Sequence, residues 1–454
     1  MKCSPGFKSC SEDGIAQDTH DASGAPASLP LPLRIPRLAS IGDLYHAEEI
    51  EFQKHRYESI AKGFGNSFAD RASVAEESPT FYSAPGRTEL CGNHTDHNQG
   101  RVLAAAINMD SVAAAAPRRD TLVRIVSEGF GRVEVDLADL SVHPEEKGSS
   151  EALVRGIGAG LAARRGFDAY IQSEVLPGSG LSSSAAFEVL VGAILADVSG
   201  IGISPTKIAE IGRFAENTYF GKPCGLMDQM ASALGSIATI DFRNPAAAEV
   251  ELLSFDIGSR GLSLVIVNSG GNHADLTDDY AAIPAEMKAV ARFLGRPVLA
   301  GTLHSELAEK APQIRKACGD RAFLRAWHFV AESGRPAEMA AAIRGGDIAA
   351  YLAVVRASGD SSWKYLQNLF PSKNPAEQGL GVALALTEDF LAGEGASRVH
   401  GGGFAGTIQA YVPTRRLPAY TSLMESVFGK AAVFPLRIRT RGVVCIENLK
   451  RSAR

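Results

Sequence analysis

The chain of 454 residues is 45% hydrophobic and 21% charged. That is the balance of a globular protein long enough for two domains, not of a disordered or fibrous one. Its 51 acidic and 46 basic residues leave a net charge of −5, which supplies no basic field to draw nucleic acid. No apolar run reaches the ~18 residues of a membrane span, and Cys3, Cys10, Cys91, Cys224, Cys318 and Cys445 show no metal-like CxxC spacing, which fits free thiols in a reducing cytoplasm.

Residues 1–40 are rich in Ser, Pro, Asp and Gly and lack the apolar centre of a secretory signal, so they read as a flexible tail. A helix is expected over 44–62. A strand is expected over 78–84, running into Pro85-Gly86-Arg87-Thr88-Glu89-Leu90-Cys91-Gly92-Asn93-His94-Thr95-Asp96-His97-Asn98-Gln99-Gly100. This run sets an Arg, two His, an Asp and several amides among glycines. Such a loop presents the fork of donors and acceptors that a polyhydroxylated ligand requires, although turn chemistry alone also produces dense polar loops.

The alternation of Val133, Val135 and Leu137 with polar neighbours predicts a hairpin over 121–137, and a further strand over 167–176 ends at Pro177. Leu176-Pro177-Gly178-Ser179-Gly180-Leu181-Ser182-Ser183-Ser184-Ala185-Ala186 then leads into a helix over about 183–198, with the serines as caps. Small residues before a helix N-terminus let backbone N–H groups cradle a phosphate, although no GxxxxGK[ST] occurs in the chain. The plain alternative is a capped helix after a turn.

A helix opening at Ser204-Pro205 follows, with Ile208, Ile211, Ala215 and Tyr219 on one face and Glu216 at its edge. Unless a cation or hydrogen bonds meet it, that Glu is a snorkelling boundary residue. Gly221-Lys222-Pro223-Cys224-Gly225-Leu226-Met227-Asp228-Gln229-Met230 places Asp228 in an apolar setting that calls for a cation or a hydrogen-bond network.

A buried strand over 261–269 opens a second half. Helices are expected around 279–294, 305–331, 336–356 and 376–393, and strands near 407–412, 433–439 and 442–447. His400-Gly401-Gly402-Gly403-Phe404-Ala405-Gly406 matches GxGxxG mechanically. A strand pattern follows it instead of a helix, which excludes a dinucleotide fingerprint. No internal repeat occurs, and a two-domain α+β protein divided near residue 250 is the economical reading.

The order of PGRTELCGNHTDHNQG, LPGSGLSSSAA and HGGGFAG resembles the three motifs of the GHMP small-molecule kinases. The first motif, with GKPCGLMDQ, is similar to galactokinases in particular, and the likeness spans residues 41–454. It implies an α+β, two-domain fold: a mixed α/β amino-terminal domain with a ribosomal-protein-like βαβ over 41–250, and a ferredoxin-like carboxy-terminal domain over 251–454. It also implies an ATP- and Mg²⁺-dependent phosphotransferase acting on the anomeric hydroxyl of galactose.

By the same resemblance, Asp228 is the catalytic carboxylate and Arg87 faces it, while Ser184 and Glu216 hold Mg²⁺. Asn93, His94, Asp96, Gly225 and Tyr280 match sugar-contacting positions. Pro177, Gly178, Ser179, Gly180, Leu181, Ser182, Ser183 and Ser184 match the loop over the nucleotide phosphates. The expected partners are a small-molecule sugar and ATP, with no nucleic acid and no membrane, and a monomer or weak oligomer in the cytoplasm is expected.

Galactokinases usually carry Glu-His-Thr-Asp-Tyr where this chain has Asn93-His94-Thr95-Asp96-His97. Plant galacturonate kinases resemble the chain here, and a neutral Asn would tolerate a uronate that a Glu repels. Galacturonate is therefore the alternative substrate. A non-catalytic sugar sensor of the yeast type is disfavoured because Ser184-Ala185 and Asp228 are all present.

Overall fold

A computed structural model describes residues 28–69, 78–175, 180–222, 224–244, 248–270, 276–404 and 406–447. The expected tail lies outside these for residues 1–27, but residues 28–40 are part of the fold. Leu29 bridges Leu252, and β1 (Arg37–Leu38) pairs in parallel with β13 (Val444–Ile446), the last strand among the described residues.

The first helix, α1 (Ile50–Ser67), starts later than expected, after two single turns at Ile41–Asp43 and Ala47–Glu49. Its buried Gln53, Tyr57, Ile60 and Phe64 recur at helical spacing and cover one face of the larger sheet.

Strand β2 (Thr80–Cys91) does not stop before the polar run but carries Pro85-Gly86-Arg87 inside it. Beside it lies β3 (Arg101–Pro117), which the period-2 pattern did not predict. Its Ala104, Ala105, Ala106, Ala113, Ala114, Ala115 and Ala116 are buried, because both faces of this strand are covered. A strand buried on both sides loses the alternation that marks a half-exposed one.

Strands β4 (Leu122–Ser127) and β5 (Gly131–Asp136) form the expected hairpin. After α2 (Ser150–Leu161) comes β6 (Phe167–Ser173), which pairs antiparallel with β3 and parallel with β4. Helices α3 (Ser183–Val198), α4 (Pro205–Ala215) and α5 (Met227–Leu234) follow, and α3 and α5 pack on β2 and β3. Strand β7 (Ile237–Asp241) pairs onto the first part of β3 and β8 (Glu249–Leu253) pairs onto β7, completing among the described residues a nine-stranded sheet of order β1-β13-β2-β3-β6-β4-β5 with β7 and β8 beside that path.

From β9 (Leu262–Asn268) the chain builds a second sheet. The helix expected over 305–331 is three pieces, α7 (His304–Glu309), α8 (Ala311–Cys318) and α9 (Asp320–Glu332), which follow α6 (Thr277–Phe293). Pro312 opens α8 and Gly319 ends it. The next expected helix is likewise split, into α10 (Arg335–Gly345) and α11 (Ile348–Ser361), with Asp347 capping the latter through Ala350 N at 2.9 Å. After α12 (Gly379–Leu391), strands β10 (Ala396–Val399) and β11 (Thr407–Pro413), helix α13 (Leu417–Phe428) and β12 (Val433–Leu436) complete the half. The sheet is antiparallel with order β10-β11-β9-β12. The sheets change over between Leu253 and Leu262, and the segment after β12 then returns to the first sheet through β13.

Candidate active site

The polar residues of the first motif lie at the end of β2 and in the turn that follows it. Pairing of β2 with β3 loses register between Pro85 and Arg87 and again between Glu89 and Cys91, and such irregularities re-aim side chains. Arg87 meets Asp228, the second residue of α5, in a two-pronged pair: Nε to Oδ1 and Nη2 to Oδ2, each 2.7 Å. Arg87 Nη1 also donates to the Gly180 carbonyl, and Ser182 Oγ donates to Asp228 Oδ2.

The Arg87 side chain is 8% exposed and that of Asp228 34%, so the guanidinium backs a carboxylate whose other side is open. Burial alone would raise the Asp228 carboxyl. Arg87, the Ser182 hydroxyl and the Lys222 charge outweigh it and hold the group below the usual Asp range. The serine expected to cap α3 is thus engaged elsewhere. Ser182 sits in left-handed backbone (φ 61°) with no capping bond, because its hydroxyl is turned to Asp228.

Asp96 comes to the same place. A Cβ on Gly225 would stand 1.6 Å from Asp96 Oδ2, so only glycine allows this approach. Burial, with the Asp228 charge beyond it, pushes Asp96 up from its ordinary value.

His94 and His97 form a defined chain. His94 Nε2 lies 3.1 Å from the Gly402 carbonyl, which only accepts, so Nε2 carries the hydrogen and Nδ1 accepts from His97 Nε2 at 3.3 Å. His97 Nδ1 is left to accept from Asn98 Nδ2 at 3.4 Å. Both rings are therefore neutral. Burial is the main cause that pulls His94 down to about 3 and His97 to about 4, with His97 adding to the first effect and Lys288 to the second.

The third motif is the opposite wall. Tyr280 Oη donates to the Gly403 carbonyl at 3.0 Å, and a Cβ on Gly402 would lie 2.3 Å from the Tyr280 ring. The motif is followed by β11, so the rejected dinucleotide fingerprint is absent.

Asn93 is placed differently from a free ligand-facing amide. Its Nδ2 donates to Glu89 Oε1 at 3.1 Å and to the Gly401 carbonyl at 2.7 Å, and its Oδ1 accepts from Asn368 Nδ2 at 3.0 Å. The residue is 1% exposed and its side-chain hydrogen-bonding groups are taken up by the protein.

Glu216 is buried, as its position on α4 foreshadows, and the helix passes into a π turn over Glu216–Phe220. Lys222 Nζ reaches its Oε1 at 3.1 Å and Gln229 Nε2 its Oε2 at 2.9 Å. The other hydrogen of Gln229 Nε2 goes to Glu188 Oε2, also at 2.9 Å. Glu188 and Gln229 were not singled out in the sequence. Two signals were available, since Glu188 is one helical turn beyond Ser184 and Gln229 is the neighbour of Asp228. Among the described residues, Glu188 Oε1 and Gln229 Oε1 are buried with no hydrogen-bond partner. Burial, then the Glu216 charge, pushes the Glu188 carboxyl well up.

Of the expected phosphate loop, Pro177, Gly178 and Ser179 lie outside the described residues, while Gly180 to Ser184 enter α3 beside Arg87 and Asp228.

With this geometry in place, the comparisons with known proteins are specific. The galactokinase galactose-binding signature matches residues 66–117, and the GHMP kinases N terminal domain matches residues 149–236. These two matches make the chain galactokinase-like, with a GHMP kinase amino-terminal domain. A galactokinase of Glaesserella parasuis serovar 5 (strain SH0165) is 29% identical over 376 residues, 80% of this chain and 92% of that protein. The crystal structure of Lactococcus lactis galactokinase complexed with galactose superposes with a TM-score of 0.72 at 25% identity, covering 85% of this chain and 98% of that one. The Methanococcus jannaschii mevalonate kinase shares the fold, with a TM-score of 0.56 at 14% identity over 80% of this chain and 99% of its own. The kinase is thus a phosphotransferase of mixed α/β architecture.

Proposed function

We propose that this kinase transfers the γ-phosphoryl group of ATP to the anomeric hydroxyl of galactose, giving galactose 1-phosphate. The observation that carries the reading is the open Asp228 carboxylate, held ionised by Arg87 and set beside Asp96 and Gly225. Asp228 accepts the proton of the attacking hydroxyl, or orients that hydroxyl in line with the phosphoryl group. Arg87 keeps the carboxylate charged and offsets charge developing on the phosphoryl oxygens. Gly180 to Ser184, at the N-terminus of α3, are the described part of the segment assigned to the nucleotide phosphates.

We assign a divalent cation to this carboxylate cluster, where Lys222 and Gln229 hold the two Glu216 oxygens. Glu216 with the Ser184 hydroxyl would hold Mg²⁺, and the unpartnered Glu188 Oε1 and Gln229 Oε1 are the acceptor atoms such a cation would satisfy. When bound, Mg²⁺ supplies charge neutralisation between the phosphates.

Galactose is favoured over galacturonate by charge. Of the positions assigned to the sugar, Asn93 is taken up by the protein, and His94 (a neutral ring, like its neighbour His97), Asp96, Gly225 and Tyr280 include no cation that would meet a uronate. We infer a cytoplasmic location, in keeping with free thiols at Cys91, Cys224, Cys318 and Cys445.

A coupled ADP-release assay over galactose, galacturonate, N-acetylgalactosamine, arabinose and glucose tests the reading. Turnover highest on galactose is expected. Turnover confined to galacturonate selects the alternative, and ligand binding with no turnover of any sugar makes the chain a sensor.

A further inference from the structure

The turn that presents His94 and Asp96 belongs to the first half of the chain, yet what fixes its backbone comes from the second half. Left-handed backbone at Gly92 (φ 98°) and His94 (φ 57°) brings two successive N–H groups to one side. Both converge on one carboxylate oxygen of the last residue of α9: Gly92 N and Asn93 N lie 2.9 and 3.2 Å from Glu332 Oε1. Ser358 Oγ donates to the same oxygen at 2.6 Å, and Arg335 pairs with Oε2. One helical turn earlier on the same face of α9, His328 Nε2 donates to the Asn93 carbonyl at 2.9 Å, while Ser361 Oγ meets His328 Nδ1 at 2.9 Å. The Asn93 residue is thus gripped at both its N–H and its C=O by side chains four positions apart.

Glu332 and His328 are fully buried, so this carboxylate never meets solvent or substrate. Paired backbone N–H groups of this kind form a concave anion seat, and here the anion is a side chain of the same protein.

We infer that Glu332 is a positioning residue for the sugar: its carboxylate sets the height and tilt of the Gly92–Asp96 turn, and His328 locks the same peptide from behind. The inference rests on the proposed sugar-kinase reading, in which this turn faces the sugar. The consequence is specific. Loosening the turn misplaces His94 and Asp96 but leaves the nucleotide segment and the Arg87–Asp228 pair untouched, so sugar affinity falls while ATP affinity stays.

The test is steady-state kinetics of the full chain carrying Glu332→Gln, with galactose and ATP varied separately and the melting temperature measured alongside. The amide keeps the shape but accepts more weakly and turns an N–H toward Arg335. The galactose KM should rise on the order of tenfold with the ATP KM within about twofold of wild type. A merely structural role would lower the melting temperature and the active fraction without separating the two constants. Should Glu332→Gln not fold, Ser358→Ala decides. It removes one hydrogen bond to the same oxygen and should raise the galactose KM by about two- to fivefold, again without moving the ATP KM. An unchanged galactose KM in the folded variant, or the two constants rising together, overturns the inference. Wild-type turnover is measured first. If the wild type uses another sugar of the panel, that sugar replaces galactose, so failure of the substrate reading stays distinct from failure of the clamp.

Discussion

The two sides of the site are built on opposite electrostatic plans. Around Asp228 the charges are paired but left open, with a buried guanidinium behind an accessible carboxylate. Around the Gly92–Asp96 turn the charges are sealed. Arg398 Nη2 meets Glu89 Oε1 at 2.6 Å with side chains 0% and 4% exposed, and Glu332 is buried beside His328 and paired with a half-buried Arg335. An open pair can exchange a proton and meet a charged substrate. A sealed one can only hold geometry, and breaking it leaves a charge without solvent. Residues of one conspicuous motif thus divide into reacting and positioning groups according to what covers them.

The sharpest way to break this division is Asp228→Asn. The neutral amide cannot take the hydroxyl proton, so turnover should fall on the order of 10²-fold or more while ATP binding and the melting temperature hold. Near-normal kcat in that variant would remove Asp228 from the reacting side.

Asn93→Glu probes the sealed side. It sets a second carboxylate within hydrogen-bond distance of Glu89, which already lies 3.1 Å from Asn93 Nδ2. Stability should drop by about 3 kcal/mol or more by chemical denaturation, with activity lost on every sugar alike. A stable variant whose effect differs in sign between galactose and galacturonate would return Asn93 to direct sugar contact.

That outcome bears on how much the sequence could reveal. The need of Asp228 and Glu216 for polar partners is legible because each carboxylate sits among apolar neighbours, whereas the meeting of Arg87 with Asp228 is implied only by the resemblance. The hairpin over 121–137, the helix after the serine loop and the strand after the third glycine motif were legible from periodicity. Strand β3 was not, since alanines buried on both faces carry no alternation. Glu332 was also hidden. It falls one residue beyond the helix expected over 305–331, and its partners are 239 and 240 positions away, a separation that no local pattern encodes. The resemblance places Asn93 against the sugar, whereas Asn368 and Gly401, brought close only by folding, take up its amide.

A smaller effect sharpens the cation reading. Gln229→Leu removes the amide that ties Glu216 to Glu188, each 2.9 Å away. The Mg²⁺ concentration for half-maximal rate should rise by about three- to tenfold with galactose KM unchanged, and Mn²⁺ binding followed by electron paramagnetic resonance should weaken in parallel. An unaltered metal titration would leave Glu216 and Glu188 as a structural pair.

The least effect is expected from acid. His94 and His97 titrate at about 3 and 4 in the folded chain, below the ~6.5 of the unfolded one. The unfolded state therefore binds more protons between those values, and stability is lost as pH falls from about 6.5 toward about 4. Each ring contributes at most about 1.4 kcal/mol per pH unit, less in proportion to its partial exposure. Replacing His97 by Asn should flatten that slope in denaturation curves taken at pH 7, 6 and 5. An identical slope would mean that the rings are charged in the fold.

The most direct test of the central claim is the product itself. Phosphorus NMR of a reaction containing the wild-type chain, ATP, Mg²⁺ and galactose should show a single sugar phosphate coupled to the anomeric proton, absent when Asp228→Asn replaces the wild type. A phosphate on the exocyclic carbon, or the anomeric product formed equally well by Asp228→Asn, would contradict the assignment of the Arg87–Asp228 pair to anomeric phosphoryl transfer.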